Sequence, residues 1–212
     1  MKRCEVKGVR RRDPTGLLDR GLSGAVRRAV WPVLAFGLVT AGGLVAVGQS
    51  PKAPENQVKT LFLCNFPEFV TWPTNTFSSD NAPLVIGVLG EDPFGPVLDQ
   101  AVKNRKVQNR NLIVKRCKDL VEIKGCHLLF VSASESRRLK EVMAVAERSA
   151  VLTVGDTAQF ARRGGVINLT IQENKVRFEI NPDAANRAGL RISAQLLKLG
   201  KVVGDEPADL KQ

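Results

Sequence analysis

Apolar positions fall at Val58, Leu61, Phe62, Phe66, Phe69 and Val70, a helical spacing that predicts a helix over 55–71, ending near Trp72-Pro73. Pro67 lies inside it and predicts a kink or break there. Leu84-Val-Ile-Gly-Val-Leu89 is a short continuous apolar run, the pattern of a strand buried on both faces. A helix follows over 93–103 with proline near its first turn, then strands over 111–116 and 127–132. Charged and apolar residues alternate at helical period over 134–148, with Ser134 as the expected cap. A strand at 151–154 and a short helix from Gly155 to about Arg162 complete this part.

The rhythm then changes. Val166 to Ile171 and Lys175 to Ile180 are separated by Glu173-Asn174, and the second run alternates cleanly, which predicts an antiparallel hairpin at a sheet edge. Ala185, Ala188, Leu190, Ile192, Leu196, Leu197 and Leu199 then predict one long amphipathic helix over 182–200. Strands alternating with helices argue for an α/β layered sandwich with a mostly parallel sheet and an antiparallel edge hairpin.

Composition changes this picture in one place. The 212 residues carry 32 Lys+Arg against 21 Asp+Glu, a net charge of +11, which invites a nucleic-acid reading. Residues 1–30 hold nine of the basic side chains and three of the acids, whereas Ala29 to Pro51 carries no charge. A basic stretch, an apolar stretch and small residues at Ala46 and Gly48 form the three-part pattern of a secretory signal. The uncharged stretch also reaches the roughly 18–20 residues that span a bilayer, so a retained inner-membrane anchor is the alternative. Either way the basic flank stays inside and the chain after about residue 50 is exported, to the periplasm. The expected organisation is a leader over 1–50, a folded domain over 51–204 and a polar tail over 205–212.

Cys4 lies in the leader, and export places the remaining three cysteines where disulfides persist. Cys117 and Cys126 flank a short polar segment, and either pair as a disulfide or stand as two separate thiols. Cys64 is expected buried on the apolar face of its helix. Cys126 and His127 are adjacent at a strand start and point to opposite faces, which argues against a shared metal and for a structural His127.

Catalytic signatures are weak. Gly90-Glu-Asp-Pro-Phe-Gly95 has phosphate-loop glycine spacing, but Pro96-Val97 stands where Lys and Ser/Thr are required. There is no Gly-x-Ser-x-Gly, and the sole histidine has no acid near it in sequence to suggest a triad. Basic pairs at 137–138 and 162–163 sit on charged segments without interleaved aromatics, so nucleic-acid binding by the exported domain is not expected. No metal and no cofactor are expected. Phe66, Phe69 and Trp72 form an aromatic cluster that reads first as core and second as a contact surface.

Leu61-Phe-Leu-Cys-Asn-Phe-Pro-Glu-Phe-Val-Thr-Trp-Pro73 resembles the opening helix of YfiR-like proteins. The resemblance runs on through Ile86 to Gly95, Gly125 to Ser132, Val151 to Asp156, Phe160-Ala161, Gly164-Gly165, Phe178 to Asn181 and Ala184 to Ser193. Cys64 and Pro67 depart from it, a tyrosine and a non-proline residue being more usual there. The resemblance implies an exported, non-catalytic α/β regulator that binds the periplasmic domain of a membrane diguanylate cyclase and represses it, lowering cyclic-di-GMP. It also implies that the redox state of disulfides helps to set the repressor's folding. Other membrane receptors, including histidine kinases, are alternative partners, and a homodimer through an exposed edge is a further expectation. On this reading Glu179, Asn181, Arg187 and Arg191 are the candidate partner contacts, with Asn181 alternatively a helix cap. Competing readings are a periplasmic ligand-binding module feeding a histidine kinase or transporter, and an unrecognised hydrolase.

Overall fold

The computed structural model describes residues 52–205; the leader over 1–50 and the tail beyond 205 lie outside them. Helix α1 (Lys52–Asn65) buries Leu63 and Cys64 and stops where Pro67 has no N–H to offer the helical ladder. The chain continues as a 3₁₀ turn (Phe66–Phe69) into the short strand β1 (Val70–Thr71), so the expected helix to Thr71 is broken at the position the proline marked. A loop leads to β2 (Leu84–Leu89). Helix α2 (Pro96–Val102) starts three residues later than the sequence suggested, with Pro96 in its first turn and Gly95 at φ +51° before it.

Strands β3 (Lys106–Val107) and β4 (Arg110–Cys117) form a hairpin whose two turn residues, Gln108 and Asn109, both have positive φ. After β5 (Leu128–Val131), a 3₁₀ segment (Ala133–Arg138) feeds α3 (Leu139–Arg148). Its cap is Ser132, whose hydroxyl accepts from the Ser134 N–H; the expected cap, Ser134, instead accepts from the N–H of Glu91 at 3.1 Å. After β6 (Leu152–Gly155), residues 156–164 run as turns, not the expected short helix. Here Phe160 is fully buried between two glycines: a Cβ on Gly155 or Gly165 would lie 2.5 or 2.2 Å from its ring.

Strands β7 (Ile167–Gln172) and β8 (Lys175–Ile180) form the expected hairpin, turning on Glu173 and Asn174 at positive φ. The long helix expected over 182–200 is two short ones, α4 (Pro182–Arg187) and α5 (Ala194–Leu199), separated by β9 (Arg191–Ile192). Gly189 at φ +72° ends the first, and the Ser193 hydroxyl caps the second by accepting from Leu196 N–H at 3.2 Å. Strand β10 (Lys201–Val202) closes the chain's path.

The main sheet runs in the order β10-β8-β7-β6-β5-β2-β4-β3. Pairs among β4, β2, β5, β6 and β7 are parallel, while β7–β8 and β3–β4 are antiparallel. Side chains alternate between two cores: Leu128 and Phe130 face the cluster that includes Leu63, Phe66 and Leu98, and Leu129 and Val131 face Leu139, Val142 and Phe160. The layered α/β sandwich with a mostly parallel sheet is therefore the observed fold. The hairpin is not quite its edge, because β10 pairs with the end of β8. Separately, β1 and β9 make a two-stranded antiparallel sheet, and Ser193 N–H donates to Phe69 O at 2.8 Å.

Candidate partner-binding surface

In a parallel sheet whose strand order reverses, ligands sit in the crevice beyond the carboxyl ends of the strands. Here the reversal lies between β2 and β5, and the chain fills the crevice itself. A Cβ on Gly90, which follows β2, would lie 2.3 Å from Ser134 Oγ and 2.9 Å from Glu135. Glu135 is buried and pairs with Arg138. The Gly90 to Gly95 loop is a turn, not a phosphate cradle: Asp92 Oδ1 accepts from the N–H groups of Phe94 and Gly95 at 2.8 and 3.1 Å. Arg116 fastens it by binding Asp92, Asp99 and the Gly95 carbonyl. The amino half of α1 is tied to the same rim, where Lys59 donates to Asp156 at 2.7 Å and lies 2.5 Å from Glu55. Burial opposes the Lys59 charge, yet these two carboxylates hold its ammonium above the ordinary lysine range.

The open surface lies along β8. Only Glu179 and Ile180 pair with β10, so among the described residues the outer edge of Lys175–Phe178 has no strand partner. Beside that edge is a groove of about 460 Å³ bounded by Phe62 of α1, Val176 and Phe178 of β8, and Leu199 to Lys201. Phe62 stacks on Phe66 at 5.6 Å and meets Phe178 edge-on at 5.5 Å, which fixes the groove floor. Gly200 lets the chain cross close over Phe178, since a Cβ there would be 2.5 Å from the ring. Leu199 is 66% exposed and Ile171, opposite Val176 in the hairpin, 50%. Lys175, Arg177 and Lys201 are exposed around these apolar groups. An unpaired edge beside an apolar groove can take an extended segment by main-chain pairing, with side chains seated alternately.

The sequence-derived contacts divide. Glu179 lines the groove, half-buried and 3.4 Å from Lys201. Asn181 is out of reach: it is 0% exposed, donates to Ala161 O and Asp205 at 2.8 and 2.7 Å, and caps α4 through the N–H of Ala184. Arg187 is exposed but spans Glu147 and Asp205 at 2.7 and 2.6 Å. Arg191 is exposed on β9, opposite Thr71. The structure does not bring the four together. Of the aromatic cluster, Phe66 and Trp72 are core and Phe69 is half-buried. The groove residues Phe62, Val176 and Leu199 were not among the sequence-derived contacts; Phe62 and Leu199 entered only as members of an apolar helical spacing.

The Cys117 and Cys126 sulfurs stand 3.5 Å apart, both as thiols, beneath Gly87, where a Cβ would be 2.6 Å from Cys126 Sγ. Their mutual hydrogen bond pushes the Cys117 thiol down and the Cys126 thiol up. Cys64 is fully buried and burial pushes its thiol up. No helix among the described residues is long and apolar enough to cross a membrane.

The model of the YfiR/HmsC-like family matches residues 56–201. No curated protein matches. Solved structures with partial likeness include a conserved domain protein from Vibrio cholerae (11% identity, 56% of this chain, 54% of that one, TM-score 0.42). Others are the ligand-free substrate-binding protein CD0873 from Clostridium difficile (11%, 58% and 55%, 0.41) and an ABC domain in complex with L-Trp from Streptococcus pneumonia (13%, 57% and 55%, 0.41). The chain spans about half the length of each.

Proposed function

The chain belongs to the YfiR/HmsC-like family, and on that premise we propose that it is an exported, non-catalytic regulator that represses a membrane diguanylate cyclase by binding its periplasmic domain. The family's part in cyclic-di-GMP signalling supplies the class of partner. The observation that supports docking is the apolar groove beside the unpaired edge of Lys175–Phe178, with Leu199 projecting next to it. Repression follows as a population shift, because a protein that binds the inactive cyclase better than the active one withdraws it from turnover.

The test is genetic and has a structural arm. Deleting the gene raises cyclic-di-GMP, and deleting the cognate cyclase as well cancels the rise. Leu199→Asp, at an exposed position, leaves the protein folded and reproduces the deletion. Unchanged cyclic-di-GMP in the deletion strain sinks the regulatory reading. Full repression by folded Leu199→Asp sinks the groove as its docking surface. The reading extends to the dithiol: a bond between Cys117 and Cys126 would tie β4 to the start of β5 and stiffen the repressor, giving envelope redox an input.

A further inference from the structure

A second cavity, of about 790 Å³, opens at the amino ends of β2, β5 and β6, away from the groove. The only histidine of the chain, His127, lies in its wall, 9% exposed. Its Nδ1 accepts the N–H of Val85 at 3.0 Å, so the neutral ring carries its proton on Nε2. That Nε2–H has no partner among the described residues. The ring itself cannot swing, because Phe77 stacks on it at 4.4 Å and 8°, and Arg110 lies over Phe77 at 3.8 Å. Arg110 also pins the covering loop by donating to Ser79 O and Ala82 O at 2.8 and 2.9 Å. Burial, with Arg110 nearby, pushes the imidazole down to about 4, so it remains a neutral donor at ordinary pH.

The charges around this fixed donor are lopsided. Glu147 is the one carboxylate among the described lining residues, and it is already bound by Arg187 at 2.7 Å. Lys124 and Arg148 also line the cavity, are exposed, and have no ion-pair partner among the described residues. Pro83, Val85 and Ala150 supply apolar wall between them. The volume is in the range of small-molecule sites, roughly 300–1,000 Å³.

We propose that this cavity binds a small organic oxyanion, its carboxylate facing the His127 Nε2–H and the Lys124 and Arg148 side chains, and its apolar body lying against Pro83 and Val85. A donor locked in one tautomer and two uncompensated cations favour an acceptor that is negative, and the apolar wall favours one with a hydrocarbon part. The inference rests on the cavity alone and is independent of the receptor reading.

The lone histidine gives an unambiguous probe, since a single imidazole signal reports on the site. The purified protein is titrated with benzoate, and with benzyl alcohol as the uncharged counterpart, at constant ionic strength and neutral pH. Benzoate moves the His127 ring signal saturably, and benzyl alcohol does not. In a Lys124→Glu, Arg148→Glu variant the benzoate dissociation constant rises about tenfold or more, as expected for reversing two nearby charges. The ring signal of the ligand-free variant stays in place, showing an intact cavity. No saturable shift with benzoate, an equal shift with benzyl alcohol, or unchanged affinity in the folded variant each overturns the proposal.

Discussion

Replacing Asn181 with alanine separates a structural role from a contact role. The side chain makes three hydrogen bonds from a fully buried position: one caps α4, one reaches Ala161 O and one reaches Asp205. Loss of an N-cap costs about 1 kcal/mol. The neutral bond to Ala161 O and the bond to the Asp205 carboxylate would add roughly 2–4 kcal/mol if both acceptors were left bare, but Ala161 O keeps the Gly164 N–H at 3.3 Å and Asp205 keeps Arg187, so only about 1–2 kcal/mol of that is lost. The expected loss is therefore about 2–3 kcal/mol. For a domain of this size that lowers the melting temperature by roughly 5–10 °C. Urea unfolding followed by circular dichroism reads it as a lower midpoint at unchanged slope. An unchanged midpoint would refute the reasoning and restore Asn181 as a surface contact. Asn181→Asp gives a second check. It keeps the capping oxygen but sets a carboxylate against Asp205, so its deficit is larger at pH 7 than at pH 4.

Further expectations follow from the packing and the titrations. Gly165→Ala drives a methyl into the Phe160 ring and costs about 1–3 kcal/mol; Phe160→Leu in the same chain recovers part of it, and additive losses in a double-mutant cycle would count against the clash. An NMR titration of the His127 ring is expected to give a midpoint pushed down from 6.5 to about 4 by burial and the nearby Arg110. Because the folded value lies below the unfolded 6.5, its contribution to stability is complete above about pH 6.5 and falls away as pH drops toward 4. A titration midpoint near 6.5 would contradict the buried, neutral ring. Mild oxidation joins Cys117 to Cys126 in one bond, seen as loss of those two thiols with Cys64 still free, and stabilises by roughly 2–3 kcal/mol; Cys117 and Cys126 both still free after oxidation would count against the proposed redox input.

The periodicities carried the layered architecture because each buried strand alternates between two cores and the β7–β8 turn carries Asn174, a residue type that tolerates positive φ. The pattern failed where apolar spacing outlives the helix that it suggests. Ala185 through Leu199 keeps helical spacing across β9, although Gly189 and Ser193 were visible stop and start signals. The turns after β6 replace a helix because Phe160 must drop between Gly155 and Gly165. Strands β1, β9 and β10 have two residues each, too few for any period to show. The groove was hidden for a related reason. Phe62 sits in an apolar stripe whose members are core at Leu63 and Phe66 and exposed at Leu61, and only the path of β10 decides which face is covered.

The pairing of β1 with β9 ties Val70 to Ile192 and Thr71 to Arg191, joining the two ends of the folded domain. A chain delivered amino end first, from a ribosome or through a translocation channel, has nothing for β1 to pair with until nearly the whole domain has emerged. Such long-range closure slows folding and prolongs the exposure of apolar surface. The same closing segment carries Leu199 to Lys201, one wall of the groove, so a nascent or carboxy-terminally clipped chain would lack that wall however well its central sheet had formed. Synthesis of the last strands thus acts as a completeness check: only the finished chain presents the whole groove.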